Sequence, residues 1–294
     1  MPEEIVYLNG RLLPVGEAAV SVYDHGFLYA DGLFETVRSY AGHPFRLDRH
    51  LDRLFSSAEL IGLKVPVNAE QLNAAVLETM AANDLLDARI RITVTRGPGK
   101  PGILPDPKQH ATVLITARPL DLPSAEKYEQ GWTAAVVAER RNSQSLLSRI
   151  KTLNCLPARV ATMQARAAGA EEPILLNERG FVAEGATSNI FLVMGGSFGS
   201  AQDRELITPD LDSGILPGIT REVVLSIAPR LGLRAIERPV SLDDLTRAEE
   251  VFRTSSVMEF RPVVRVDDRL VGEGRAGAVT RAVMAAYREE TVVA

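Results

Sequence analysis

The stretch SRIKTLNCLP, residues 148–157, sets a lysine, Lys151, three residues ahead of Asn154 and shortly before Pro157. Proline is tolerated only within the first turn of a helix, and asparagine is a good N-cap. The stretch therefore reads as a chain arriving at a helix start, with Lys151 just outside it and able to point into a cleft. Desolvated there, its amine has a lowered pKa and becomes a nucleophile able to form a Schiff base with a carbonyl; in open solvent it is an ordinary loop lysine. The choice depends on what the rest of the chain supplies.

Downstream, the spacing predicts helices over 157–169, 219–231 and 278–290. Pro229 should kink or end the second early, because its ring clashes with the carbonyl four residues back. WTAAVVAE, PILLN, GFVAEG, SNIFLVM and ELITPD are short apolar runs between turn residues and read as strands, with NERG at 177–180 as a hairpin turn. The run GGSFGS, 195–200, is low in complexity.

Upstream, residues 4–8 and 34–40 read as extended. Leu47, Leu51, Leu54, Ala58 and Ile61 fall at helical spacing over 47–61, and a second helix opens at a cap formed by Asn68 and Gln71, with Leu72, Val76 and Met80 on one face. ARIRITVTRG alternates Ile90, Ile92 and Val94 with Arg89, Arg91, Thr93 and Thr95, the pattern of a strand with one wet face. ATVLITA, 111–117, is apolar almost throughout and is expected to be covered on both faces. Between them GPGKPGILPDPKQ is a long loop, a candidate lid or arm. The prolines of RPLDLPSAEKY mark a boundary, which divides the chain into a domain over 1–120, a linker over 121–128 and a second domain over 129–294.

At 294 residues, 46% hydrophobic and 24% charged, the chain has the composition of an ordinary globular protein of two domains. It shows no apolar run long enough to span a membrane and no basic, apolar leader at MPEEIVYLNG, so a cytoplasmic location and no membrane partner are expected. One cysteine, Cys155, and four scattered histidines argue against a disulfide framework and a structural metal site. A net charge of -5 gives no basic footprint for nucleic acid.

Glu184 in VAEGATSN sits among small apolar residues, with Gly185 allowing close approach of backbone or ligand. A carboxylate there needs a cation, either a protonated ring nitrogen or an arginine. SGILPGITREVV, 213–224, opens a helix at Gly218, Ile219 and Thr220, whose N–H groups, dipole and hydroxyl suit phosphate; an unoccupied capped end has the same pattern. RTSSVMEF, 253–260, adds hydroxyls and amides that share that anion or form an ST-turn. RLDRHLDRL puts Arg46, His50 and Arg53 on the face away from the leucine stripe. That is either a solvated face neutralised by Asp48 and Asp52, or a bidentate phosphate clamp.

In this order, DHGFLYADGLFETVR, HLDRL, TRG, IKTLN, VAEGATSNIF, GILPGITR and TSSVMEFRPV resemble the fold type IV pyridoxal-phosphate enzymes, the class IV aminotransferases, over nearly the whole chain. That family includes branched-chain and D-amino acid aminotransferases and aminodeoxychorismate lyases. The resemblance implies an α/β (α+β) fold with a small N-terminal α/β sandwich, a larger C-terminal pseudo-barrel, and pyridoxal 5'-phosphate as cofactor. By it Lys151 is the Schiff-base lysine and the general base and acid, and Glu184 pairs with the pyridine nitrogen. Leu216 packs on the ring, and Arg53, Gly218, Ile219 and Thr220 hold the phosphate with Ser256 and Val257. Tyr29, Phe34, Thr36 and Met258 match pocket positions. Arg96 and the 97–107 loop stand close by or reach the partner's site, since the family works as homodimers.

Two departures bear on the substrate. Thr36 stands where branched-chain members commonly have glycine, and Cys155 where they have a tyrosine. The 97–107 loop also lacks the Arg and His that D-amino acid enzymes use, which disfavours strict D-specificity. The reading that follows is an aminotransferase acting between an apolar, branched-chain amino acid and 2-oxoglutarate, with amino acid and keto acid as its small-molecule partners. The alternatives are a lyase releasing 4-aminobenzoate and pyruvate, a D-amino acid aminotransferase, and a cofactor-free homologue.

Overall fold

The computed structural model describes residues 3–106, 108–195 and 204–293. Apart from Gly195, the low-complexity run at 195–200 lies outside them. By its contacts the chain divides into two units, one running to Asp121 and including Ile150–Asn154, the other comprising Leu122–Arg149 and Cys155–Val293. The short excursion of the chain at Ile150–Asn154 assigns Lys151 to the first unit.

The first unit contains β1 (Ile5–Leu8), β2 (Arg11–Pro14), α1 (His25–Tyr29), β3 (Gly32–Tyr40), β4 (His43–Pro44), α2 (Leu47–Leu60), α3 (Ala69–Ala82), β5 (Ala88–Thr95) and β6 (Thr112–Pro119). Its sheet runs β2-β1-β6-β5-β3-β4, antiparallel at every pairing. Asn9 and Gly10 close the first hairpin with φ of 49° and 88°, the two left-handed residues that a tight hairpin turn demands.

Leu47, Leu51, Leu54 and Ala58 of α2 enter one core with Ile90, Ile92 and Val94 of β5 and Leu72, Val76 and Met80 of α3. Each large side chain so buried contributes about 1.5–3 kcal/mol. The expected reciprocal cap opens α3: the Gln71 N–H donates to Asn68 Oδ1 and the Asn68 N–H to Gln71 Oε1, both at 2.9 Å. β6 departs from expectation. Val113, Ile115 and Ala117 are buried while Leu114 and Thr116 are half open, so only one of its faces is fully covered.

The second unit contains α4 (Ala125–Gln130), β7 (Trp132–Arg141), α5 (Leu156–Ala167), β8 (Glu172–Asn177), β9 (Asn189–Met194), β10 (Glu205–Thr208), α6 (Ile219–Ile227), β11 (Arg234–Glu237), α7 (Leu242–Arg247), β12 (Glu250–Ser255), β13 (Glu259–Val266), β14 (Arg269–Leu270) and α8 (Ala278–Val293). α4 starts inside the stretch expected as a linker. α5 begins at Leu156 with Cys155 at its cap, not Asn154, and carries Pro157 in its first turn. α6 ends at Ile227 and Pro229 sits in the 3₁₀ turn that follows, as its ring requires.

The sheet is mixed and runs β11-β10-β9-β12-β13-β7-β8, with β14 beside β13. Its two ends are joined through Val182, which bridges Leu176 of β8 on one side and Val240, just past β11, on the other. GFVAEG is therefore no ladder strand, as its apolar pattern suggested, but a seam that pairs singly with both ends of the sheet. Glu184 lies two residues beyond that seam, its carbonyl accepting from the Leu175 N–H at 2.9 Å. Among the described residues no helix is long and apolar enough to cross a membrane.

Candidate active site

Lys151 is half-buried and rides on the start of β3. The Phe34 N–H donates to the Lys151 carbonyl and the Leu153 N–H to the Gly32 carbonyl, both at 3.0 Å, so the lysine's backbone extends the sheet for one bridge. Gly32 is required for this approach: a Cβ there would stand 2.5 Å from the Val94 carbonyl oxygen and 2.7 Å from Leu153 Cδ1. Lys151 Nζ lies 4.7 Å from the centroid of the Phe34 ring, and Arg91 Cζ lies 3.8 Å from the same centroid. An aromatic face attracts a cation by its quadrupole, so Phe34 gathers the two charges. Thr36 pairs with Arg91 across β3 and β5.

Strand alternation turns Glu35 the other way from Phe34 and Thr36, toward α2. There the Arg53 guanidinium grips it through Nε to Oε1 at 2.8 Å and Nη2 to Oε2 at 2.7 Å, and His50 Nδ1 lies 2.7 Å from Oε2. Burial by itself raises the Glu35 pKa, but the Arg53 charge and the hydrogen bonds from His50 and Arg53 outweigh it and bring the carboxyl to about 2. For His50 burial prevails and lowers its pKa, against the raising influence of Glu35. Of the two readings of this helix face, the solvated one fails at His50 and Arg53, which turn inward with Glu35 as their counter-ion; Asp52 pairs with Arg49 instead. Arg46 does not join the cluster; it is exposed at the cap of α2, with φ 51°.

In the second unit Glu184 is 7% exposed and meets its cation in Arg141, whose Nη2 stands 2.9 Å from Oε1. The Leu216 N–H donates to Oε2 at 3.0 Å, and Asn189 Nδ2 lies 3.4 Å from the same oxygen. Two residues past Leu216, Gly218 begins α6 without any side-chain cap, and Ile219 and Thr220 are buried in its first turn. Ser256, Val257 and Met258 form the half-buried link between β12 and β13, where Ser255 pairs with Glu259. Just before it, Thr254 Oγ1 is buried without a hydrogen-bond partner. Arg253 is wholly buried, and that burial lowers its pKa to about 9 although the Glu184 charge acts the other way. A cavity of about 460 Å³ between α7 and the β13–β14 turn, walled by Leu245, Val266 and Val271, contains none of these groups.

Arg96 is engaged elsewhere. Its guanidinium donates to Asp31 through Nε at 2.6 Å and Nη2 at 3.0 Å, and to the carbonyls of Gly62 and Ile61 at 2.9 and 3.0 Å. It clips the end of β5 to the end of α2. Tyr29 stacks edge-on against His25, with centroids 5.0 Å apart, and its hydroxyl accepts from the Gly102 N–H at 2.9 Å, so it ties down the 97–107 loop. Glu35, Arg91, Arg141 and Asn189 are the site residues that sequence reasoning missed. The one local signal was that Glu35 shares the inward face of β3 with buried Leu33 and Val37, which marks the acid as buried without revealing its partners.

The family model described as amino-transferase class IV matches residues 32–266. A putative branched-chain-amino-acid aminotransferase of Methanocaldococcus jannaschii is 38% identical, over 97% of this chain and 95% of its own length. D-alanine aminotransferase of Bacillus licheniformis is 33% identical, over 96% and 95%. The crystal structure of the T.th. branched-chain amino acid aminotransferase with pyridoxamine 5'-phosphate superposes with a TM-score of 0.91 at 30% identity, covering 99% of this chain and 95% of that one.

Proposed function

The chain belongs to the class IV aminotransferases and is an enzyme of that type, and on that premise we propose that it moves an amino group between a branched-chain amino acid and 2-oxoglutarate with pyridoxal 5'-phosphate as cofactor. The observation that carries the reading is the placement of Lys151, an amine held by strand pairing against an aromatic face rather than left in a loop. The donor set suits the cofactor. Gly218 opens a helix of nine residues whose first N–H groups no side chain caps, a natural phosphate seat, and a buried carboxylate, Glu184, suits a protonated pyridine nitrogen. The likeness to two branched-chain enzymes supports the side-chain preference.

When bound, the cofactor supplies an aldehyde to receive the amino group and a ring that withdraws electrons from the substrate's alpha carbon. Lys151 then carries the proton to and from that carbon as general base and acid. Glu184, paired with Arg141, would face the ring nitrogen and hold its proton. Ile219 and Thr220, assisted by Ser256 and Val257, would hold the phosphate together with Arg53, which Glu35 orients through Nε and Nη2, and Leu216 would cover the ring. Phe34, Thr36, Tyr29 and Met258 would shape the side-chain pocket, with Arg96 nearby and Arg91, beside Phe34, as a further cation for a substrate carboxylate.

The same reading extends to a homodimer in the cytoplasm. Phe27 is 76% exposed and Ile103 and Leu104 are each 89% exposed, and these are apolar side chains of the kind a second copy covers. The test is a half-reaction panel read by cofactor absorbance. Leucine, isoleucine and valine should convert the bound cofactor to its amine form, and 2-oxoglutarate should reverse it. Conversion by D-alanine alone, or pyruvate release from aminodeoxychorismate without a keto acid, would overturn the branched-chain assignment.

A further inference from the structure

We propose that Asn189 is a positioning residue that ties the Glu184 carboxylate to Leu216, on the approach to α6, so that the acid and the anion seat are held as one piece. The inference rests on the reading that Glu184 faces the pyridine nitrogen and that α6 seats the phosphate. Asn189 is the first residue of β9 and 5% exposed. Its Nδ2 donates to the Leu216 carbonyl at 2.9 Å and lies 3.4 Å from Glu184 Oε2, the oxygen that also accepts from the Leu216 N–H at 3.0 Å. Acid, amide and carbonyl thus close a ring, with both polar faces of Leu216 used inside it.

The other end of the amide sets the helix start. Gly218 has φ -75° and ψ 136°, a conformation open to any residue, so its backbone does not call for glycine. Its lack of a side chain answers to Asn189: a Cβ at 218 would stand 2.0 Å from Asn189 Oδ1. Between the two ends the turn is stiff. The Gly185 N–H donates to the Ser188 carbonyl at 2.7 Å, and buried Arg253 donates through Nε to Ser188 Oγ at 2.8 Å. A shift of Asn189 therefore moves the acid and the helix start together.

The experiment uses the full chain stripped of cofactor and two probes that each report one end: pyridoxal, which lacks the phosphate, and inorganic phosphate. Dissociation constants are measured for wild type, Asn189→Ala, Gly218→Ala and the double variant, with near-ultraviolet circular dichroism to check packing. Asn189→Ala should weaken both probes by about tenfold, the effect of losing a hydrogen bond to a charged or helix-end group. Gly218→Ala should do the same. The double variant should be no worse than Asn189→Ala alone, because the added methyl no longer meets Oδ1.

Loss confined to one probe, no loss, or strictly additive losses in the double variant would overturn the tie. If Asn189→Ala does not fold, Gly218→Ala decides, since a methyl that weakens phosphate but spares pyridoxal contradicts the coupling. Wild-type protein that binds neither pyridoxal phosphate nor pyridoxal refutes the underlying reading; wild type that binds both, with Asn189→Ala unchanged, refutes the tie alone.

Discussion

Two buried carboxylates, Glu35 in the first unit and Glu184 in the second, are held by different kinds of partner. Glu35 is 1% exposed and is gripped by two side chains of one helix turn, Arg53 through two donors and His50 through one, all between 2.7 and 2.8 Å. Glu184 pairs with Arg141, accepts from a backbone amide at a helix approach and makes a longer contact to a carboxamide. The first arrangement uses its bonding inside the fold and locks β3 to α2. The second aligns an acid by backbone that leads straight into an uncapped helix start, the arrangement that the proposed function uses. Burial of a charge alone does not mark a catalytic residue; the kind of partner does.

Substitutions at these two sites sharpen the contrast. Glu35→Gln removes the buried carboxylate that Arg53 and His50 grip and should cost about 3–5 kcal/mol in urea unfolding. Glu184→Gln should cost only ~1–2 kcal/mol, because Arg141 is partly open to solvent, while its loss of pyridoxal affinity should exceed any caused by Glu35→Gln at equal folded fraction. Equal stability losses at the two sites would erase the distinction.

Acid titration separates the same cluster. Both shifts are downward, His50 below 6.5 and Glu35 from 4.5 to about 2, so in each case the unfolded chain takes up the proton first. Stability from neutral His50 should start to fall as the pH drops through 6.5, and that from ionised Glu35 should be intact above 4.5 and lost toward pH 2. In urea midpoints followed against pH, His50→Gln should remove the first decline and leave the second. The smallest effect belongs to Tyr29→Phe. It deletes one exposed hydrogen bond to the 97–107 loop, and should cost no more than ~1 kcal/mol while raising proteolytic cleavage within that loop.

What is legible in the chain alone is what depends on short spacing. The α2 stripe, the Asn68–Gln71 cap, the alternation of β5 and the break at Pro229 are local rules applied within a few residues. The seam at Val182 reads as a strand because its two partners, Leu176 and Val240, lie at opposite ends of a sheet whose order no local pattern reveals. The contacts of Arg96 are hidden for the same reason: the carbonyls and the acid that it binds are 34 or more residues of sequence removed, and a lone cation after a strand looks unengaged. Glu35 carries no local signal of its role, which lies in His50 and Arg53, 15 and 18 residues on. Lys151 and the helix at Gly218 are recognisable because their surrounding motifs are contiguous.

The enzymatic role rests on the amine of Lys151. Holoprotein reduced with borohydride, digested and mapped by mass spectrometry should carry the pyridoxyl-phosphate mass on the peptide containing Lys151, with Lys151→Ala leaving no adduct. An adduct on Lys64, Lys100, Lys108 or Lys127, or none from protein shown to bind the cofactor, would contradict it.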